Sequence, residues 1–149
     1  DEDIDEITGK KVNEVDMEND WPEVWELVVR NLKFGKSYGA LFEFNSAALR
    51  KGWSTPYPKR DIADAIIKYA DARFCLSDDS HGVAQVGLNY HKVLNYVEEL
   101  KLERIWYLDV DYVDGKKVVS PKSVPIEEVR NSRFFTKLRQ DLFNDAENV

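Results

Sequence analysis

Apolar residues recur along this chain first with helical spacing, then with strand spacing, and the alternation repeats. Val24, Leu27, Val28 and Leu32 share one helical face and predict a helix starting near Trp21-Pro22. Asp20 is placed as its N-cap, with Pro22 in the first turn and Glu23 three residues after the cap. Gly35 offers a stop. Residues 40–45 read as a strand, with Leu41, Glu43 and Asn45 on one face and Phe42 and Phe44 on the other. A loop from Ser46 to Pro58 follows, then a helix over about 59–70 carrying Ile62, Ala65, Ile66 and Tyr69 on one face. Residues 73–77 form a second predicted strand. The stripe Val86, Tyr90, Val93, Val97 and Leu100 predicts a third helix over about 83–100. A third strand is expected at 104–108. Asp114-Gly115 is a turn signal that pairs 110–113 with 117–119 as a hairpin. A last helix, about 125–144, aligns Phe135, Leu138 and Leu142.

This order implies an α/β chain with a parallel sheet or a (β/α) barrel. In such folds functional residues gather at the C-terminal ends of strands. Two polar clusters fall there: Asn45-Ser46 after one strand and Asp79-Ser80-His81 after the next.

Charge changes the picture at one end only. The formal charge of −7 over 149 residues resides in residues 1–20, which hold nine acids and two lysines. The remainder balances at 19 acids and 19 bases. Residues 1–20 therefore read as an acidic, solvated segment without fixed structure, and 21–149 as the folded part. A neutral body gives no electrostatic case for a nucleic-acid or membrane surface. No apolar stretch reaches membrane-spanning length and no secretory signal is visible. The single Cys75 cannot form an internal disulfide, which suits the cytoplasm, and its apolar neighbours mark it as a small packed residue. The chain does not begin with Met, as expected of a processed protein or a piece of a longer one.

The chemistry concentrates in Ser77-Asp78-Asp79-Ser80-His81-Gly82. On an extended strand end, Asp79 and His81 project to the same side, and a carboxylate with an imidazole suits Zn, Mn or Fe. Alternatively the pair caps the next helix. Asp78 projects the other way and is expected to brace the turn. Arg50 and Lys51, in the loop after the first strand, suit an oxyanion: Arg as a bidentate fork, Lys as a point charge. Alternatively they form an exposed basic loop. Glu43 is expected in a buried polar network or a salt bridge to a neighbouring strand, and His91 on a helix surface.

Together, Leu41-Phe42-Glu43-Phe44-Asn45-Ser46-Ala47-Ala48-Leu49-Arg50-Lys51-Gly52 and Leu76-Ser77-Asp78-Asp79-Ser80-His81-Gly82 resemble the histidinol-phosphatases of the PHP (polymerase and histidinol phosphatase) superfamily. Pro56-Tyr57-Pro58 and Val83-Ala84-Gln85-Val86-Gly87 strengthen the likeness, which covers about residues 38–110. The resemblance implies the C-terminal portion of a distorted (β/α)₇ barrel. It implies hydrolysis of a small phosphate ester, L-histidinol phosphate, at a cluster of up to three divalent metal ions (Zn, Mn or Fe). By this likeness Asp79 and His81 match the last metal-ligand motif and Arg50 matches the loop arginine that holds the phosphate, with Asn45, Ser46 and Lys51 as further substrate contacts. The family's opening His-x-His is absent, since the only histidines are His81 and His91. The missing ligands are expected in an N-terminal half of the same barrel, and the isolated chain is expected to be inactive and poorly stable. The alternatives are another PHP phosphoesterase, including nuclease-like forms, or a non-catalytic PHP-derived binding module.

Overall fold

A computed structural model of the chain describes residues 4–138. It is mixed α/β and divides into two compact units. One comprises the residues up to Ala40 together with Pro58–Ala72; the other comprises Leu41–Tyr57 together with the residues from Arg73 onward.

In the first unit, α1 (Met17–Asp20), α2 (Pro22–Ser37) and α4 (Arg60–Tyr69) pack on one another. The acidic segment, expected to lack structure, is folded over its described residues. Asp16 caps α1 by accepting from Glu18 N and Asn19 N, Lys10 pairs with Asp20 at 2.7 Å, and Val15 is buried. Local pairing and capping thus offset the repulsion on which that expectation rested. Asp1, Glu2 and Asp3 lie outside the described residues. Pro22 begins α2 as expected, but Asp20 does not cap it: the N-cap is Trp21, without a side-chain bond. Nor does Gly35 stop it. The helix runs on to Ser37 and closes at Gly39 (φ 75°), with Gly39 N donating to Lys36 O and Ala40 N to Gly35 O. That pattern is the Schellman closure, which needs a left-handed residue two positions beyond the helix.

The second unit is built on β1 (Phe42–Asn45) and β2 (Phe74–Ser77), paired in parallel with Phe42 opposite Phe74 and Asn45 opposite Ser77. Parallel strands put both C-terminal ends on the same edge. Phe44 and Phe74 are fully buried and stack at 3.9 Å, and Tyr96 from α5 (Tyr90–Glu99) meets Phe44 edge-on. The third expected helix is shorter than its apolar stripe. A 3₁₀ turn at Val83–Gln85 is followed by Gly87 (φ 69°) and Asn89 (φ 65°), and α5 starts only at Tyr90. Two left-handed residues cannot continue a right-handed helix, so Val86 is left exposed.

The remaining strands depart from a parallel continuation. β3 (Arg104–Val113) and β4 (Lys116–Pro125) form one long antiparallel hairpin around Asp114-Gly115, both at positive φ as a primed turn requires. The strand expected at 104–108 and the first arm of the hairpin are therefore one element. β3 runs near β2 without joining its ladder, and neither sheet closes into a barrel among the described residues. The hairpin leaves Leu108, Tyr112 and Val119 exposed. The last expected helix is broken: α6 (Ile126–Asn131) ends at Ser132, which is extended, and helix resumes at 133–138, with Phe135 buried. Leu142 lies outside the described residues.

Candidate active site

The site lies in the second unit, where the chain leaves β1 and β2. Asn45 ends β1 by accepting Ala47 N–H on its Oδ1 at 2.9 Å, a short side-chain turn that starts α3 (Ala47–Arg50). Its backbone pairs in both directions with Tyr57. Ser46 is 2% exposed, and its N–H donates to Ser77 O at 2.8 Å, which ties the ends of the two strands together. Asn45 and Ser46 are thus engaged in building the turn. Arg50 closes α3, and Lys51 follows with its Nζ 5.7 Å from the Tyr57 ring centroid.

The loop after β2 is folded by Asp78. Its Oδ1 accepts from Ser80 N and Ser80 Oγ, and its Oδ2 accepts from Gly87 N at 2.6 Å. These bonds, that from Gly87 foremost, hold the Asp78 carboxyl below its ordinary range. Tyr90, at the start of α5, has its hydroxyl pushed up to about 12, first by burial and then by the Asp78 charge. The expected bracing role of Asp78 is what the structure shows.

Asp79 does not continue the strand. It takes φ 50°, so the same-side projection argued for an extended segment does not apply. The His81 ring folds back, with Nδ1 2.8 Å from the Asp79 carbonyl oxygen. The same oxygen accepts from Arg50 Nη2 at 3.2 Å. Arg50, Asp79 and His81 are thereby brought together at one carbonyl. Neither Asp79 nor His81 caps the following 3₁₀ turn, whose N-cap is Gly82. Both side chains are exposed.

Asp79 and His81 are residue types that ligate divalent cations. Among the described residues they belong to no group of three or more His, Cys, Asp or Glu able to hold one. No catalytic step can be routed through a metal held by these residues alone. Glu43, expected in a buried network, is exposed. His91, expected on a helix surface, is partly buried with its Nδ1 unpartnered among the described residues, and burial lowers its pKa. Cys75 is half-buried, and burial followed by the Glu43 charge pushes its thiol up. Gly87 and Tyr90 escaped the sequence reading as supports of the loop. The signal was present in Gly87-Leu88-Asn89, a helix-breaking run inside an apolar stripe.

No protein-family model matches the chain, and no solved structure matches it significantly. Curated relatives do. It is 42% identical over 134 residues to the histidinol-phosphatase of Saccharomyces cerevisiae, covering 89% of this chain and 40% of that protein. It is 41% identical over 106 residues to the probable histidinol-phosphatase of Schizosaccharomyces pombe, covering 71% of this chain and 34% of that one. The chain thus spans about two fifths and one third of the length of these relatives. Among the described residues no helix is long and apolar enough to cross a membrane. Over most of its own length, the chain is a homologue of part of the histidinol-phosphatases of these two organisms.

Proposed function

We propose that this chain forms the C-terminal part of a PHP-type phosphomonoesterase that hydrolyses L-histidinol phosphate in the cytoplasm, as a step in histidine biosynthesis. Its parallel pair β1–β2 belongs, on this reading, to a distorted (β/α)₇ barrel completed by an N-terminal portion. The substrate is a small phosphate ester; nucleic acid and membrane are not partners. The observation that carries the proposal is the meeting of Arg50 with the Asp79 carbonyl, in a chain 42% identical to a histidinol-phosphatase. It joins a basic turn to an Asp-x-His turn on one edge of a parallel sheet.

The chain's own groups divide the work. Arg50 spends one N–H on Asp79 and has four more to offer. Those donors neutralise charge on the non-bridging phosphate oxygens as it builds in the transition state, and Lys51 adds a point charge. Asn45 and Ser46 hold the turn that aims both. Asp79 and His81 supply the last two ligands of a divalent metal cluster (Zn, Mn or Fe, up to three ions) whose other ligands lie outside this chain. When bound, such ions polarise the phosphoryl oxygens as Lewis acids.

A chimera tests this. The 134 matched residues replace their counterpart in the Saccharomyces cerevisiae protein, and phosphate release is measured from histidinol phosphate and, alongside, from a nucleoside monophosphate. The expected result is hydrolysis with histidinol phosphate preferred, and a raised KM with lowered kcat for Arg50→Ala. A folded chimera that hydrolyses neither ester would support a non-catalytic binding module instead.

A further inference from the structure

The Asp79 carbonyl is shared by two donors, and this fixes more than loop shape. A carbonyl oxygen only accepts hydrogen bonds. The 2.8 Å contact between this oxygen and His81 Nδ1 is a hydrogen bond only with the hydrogen on Nδ1. In the neutral ring, Nε2 is then left bare, with its lone pair directed away from the carbonyl. Free histidine in water favours the opposite tautomer, with the hydrogen on Nε2, so the structure imposes a choice the side chain would not make unaided. The carbonyl can impose it only if held in place. Asp79 is left-handed, a conformation uncommon outside glycine that aspartate enters more readily than most residues. Arg50 Nη2 supports the carbonyl from α3, in the segment after the other strand. Asp78 secures the far side of the loop through Ser80 and Gly87.

We infer that Arg50 is a positioning residue as well as a phosphate contact: it anchors the Asp79 carbonyl, which holds His81 in the Nδ1–H tautomer and presents Nε2 as a lone-pair donor. The inference deepens the reading of the same site and rests on it for its purpose. A ligand imidazole oriented by a backbone carbonyl on its other nitrogen is a common arrangement, and such partners set ligand basicity and ring orientation. Here the oriented nitrogen and the phosphate-binding cation are mechanically linked, so a displaced Arg50 also disturbs His81.

The test needs neither metal nor activity. The 149-residue chain, labelled with ¹⁵N, is studied by long-range ¹H–¹⁵N correlation of its imidazoles at about pH 8.5, well above the ordinary histidine range. His81→Gln assigns the signals, because His81 and His91 are the chain's two histidines. The expected spectrum shows His81 with Nδ1 protonated and Nε2 unprotonated as the majority form. Arg50→Ala shifts His81 toward the Nε2–H form, and Arg50→Lys, which keeps a donor, restores the Nδ1–H majority. A wild-type His81 that is mainly Nε2–H overturns the inference. So does an unchanged tautomer ratio in an Arg50→Ala protein whose Phe44 and Phe74 amide signals show β1 and β2 intact. Should Arg50→Ala not fold, the wild-type spectrum and Arg50→Lys decide. An inactive chimera would remove the phosphatase reading without touching this measurement, so the two failures are distinguishable.

Discussion

Asp78 is the residue whose removal tests the architecture of the site most directly. Its carboxylate accepts three bonds, and they differ in what their loss costs. The two Ser80 donors are exposed and are rehydrated when Asp78 is truncated. Gly87 is buried, so its N–H, now 2.6 Å from Oδ2, is left without an acceptor. An unsatisfied buried donor costs about 1–3 kcal/mol, which places Asp78→Ala near 2 kcal/mol, concentrated in residues 78–90. Asp78→Asn keeps one accepting oxygen for the buried Gly87 N–H and turns its NH2 toward the exposed Ser80 donors, which water then satisfies, so a smaller loss of about 1 kcal/mol is expected. Because folding lowers the Asp78 pKa, its contribution is fully present above the unfolded value near 3.8. It fades as pH falls through the lower folded value, and Asp78→Asn removes that acid-side dependence. Amide exchange at Gly87 and urea unfolding are the assays. Gly87 protection as high in Asp78→Ala as in the wild type would refute the reasoning, because the bond would then carry no weight.

Phe44→Ala removes a fully buried ring stacked on Phe74 and should lower stability by about 3–5 kcal/mol in urea unfolding; a loss under about 1 kcal/mol would mean that the sheet core repacks freely. Gly87→Ala meets two obstacles, a positive φ and a new Cβ only 2.6 Å from Phe134 Cζ. In a Phe134→Ala background only the left-handed cost of about 1–2 kcal/mol should remain, so an equal penalty in both backgrounds would exclude the clash. Cys75 should alkylate more slowly than an exposed thiol at neutral pH, since burial raises its pKa; a rate equal to that of a small free thiol would contradict this.

The sequence was most legible where local chemistry and tertiary packing agreed. The apolar pairs of 42–45 and 74–77 made β1 and β2 visible, and Asp114-Gly115 marked its hairpin because that turn needs two left-handed residues. It misled where periodicity outran backbone conformation. The stripe from Val86 to Leu100 keeps helical spacing through Gly87 and Asn89, yet both residues are left-handed, so the helix begins only after them. At Gly35 the opposite error occurred: a glycine inside a helix resembles a stop, but the closure is made at Gly39, where the left-handed turn falls. The extent of β3 was hidden because its inner end is buried and its outer end exposed, so no single alternation runs through Arg104–Val113.

At the site, residue types were legible and their geometry was not. Asp79 and His81 stood out by composition, and strand-end position singled out Arg50. Their relation depends on one torsion that no pattern of side chains encodes. With Asp79 extended, its carboxylate and the imidazole would project side by side and Arg50 would face the phosphate alone. With Asp79 at φ 50°, the backbone carbonyl is the acceptor that both Arg50 and His81 reach. Left-handed Asp is tolerated because the strain is small and the surroundings repay it: two bonds to its carbonyl, with Asp78 bracing the residues that follow. A loop held from both sides presents its imidazole at lower entropic cost than a free one, because its conformers are already limited before any ligand arrives.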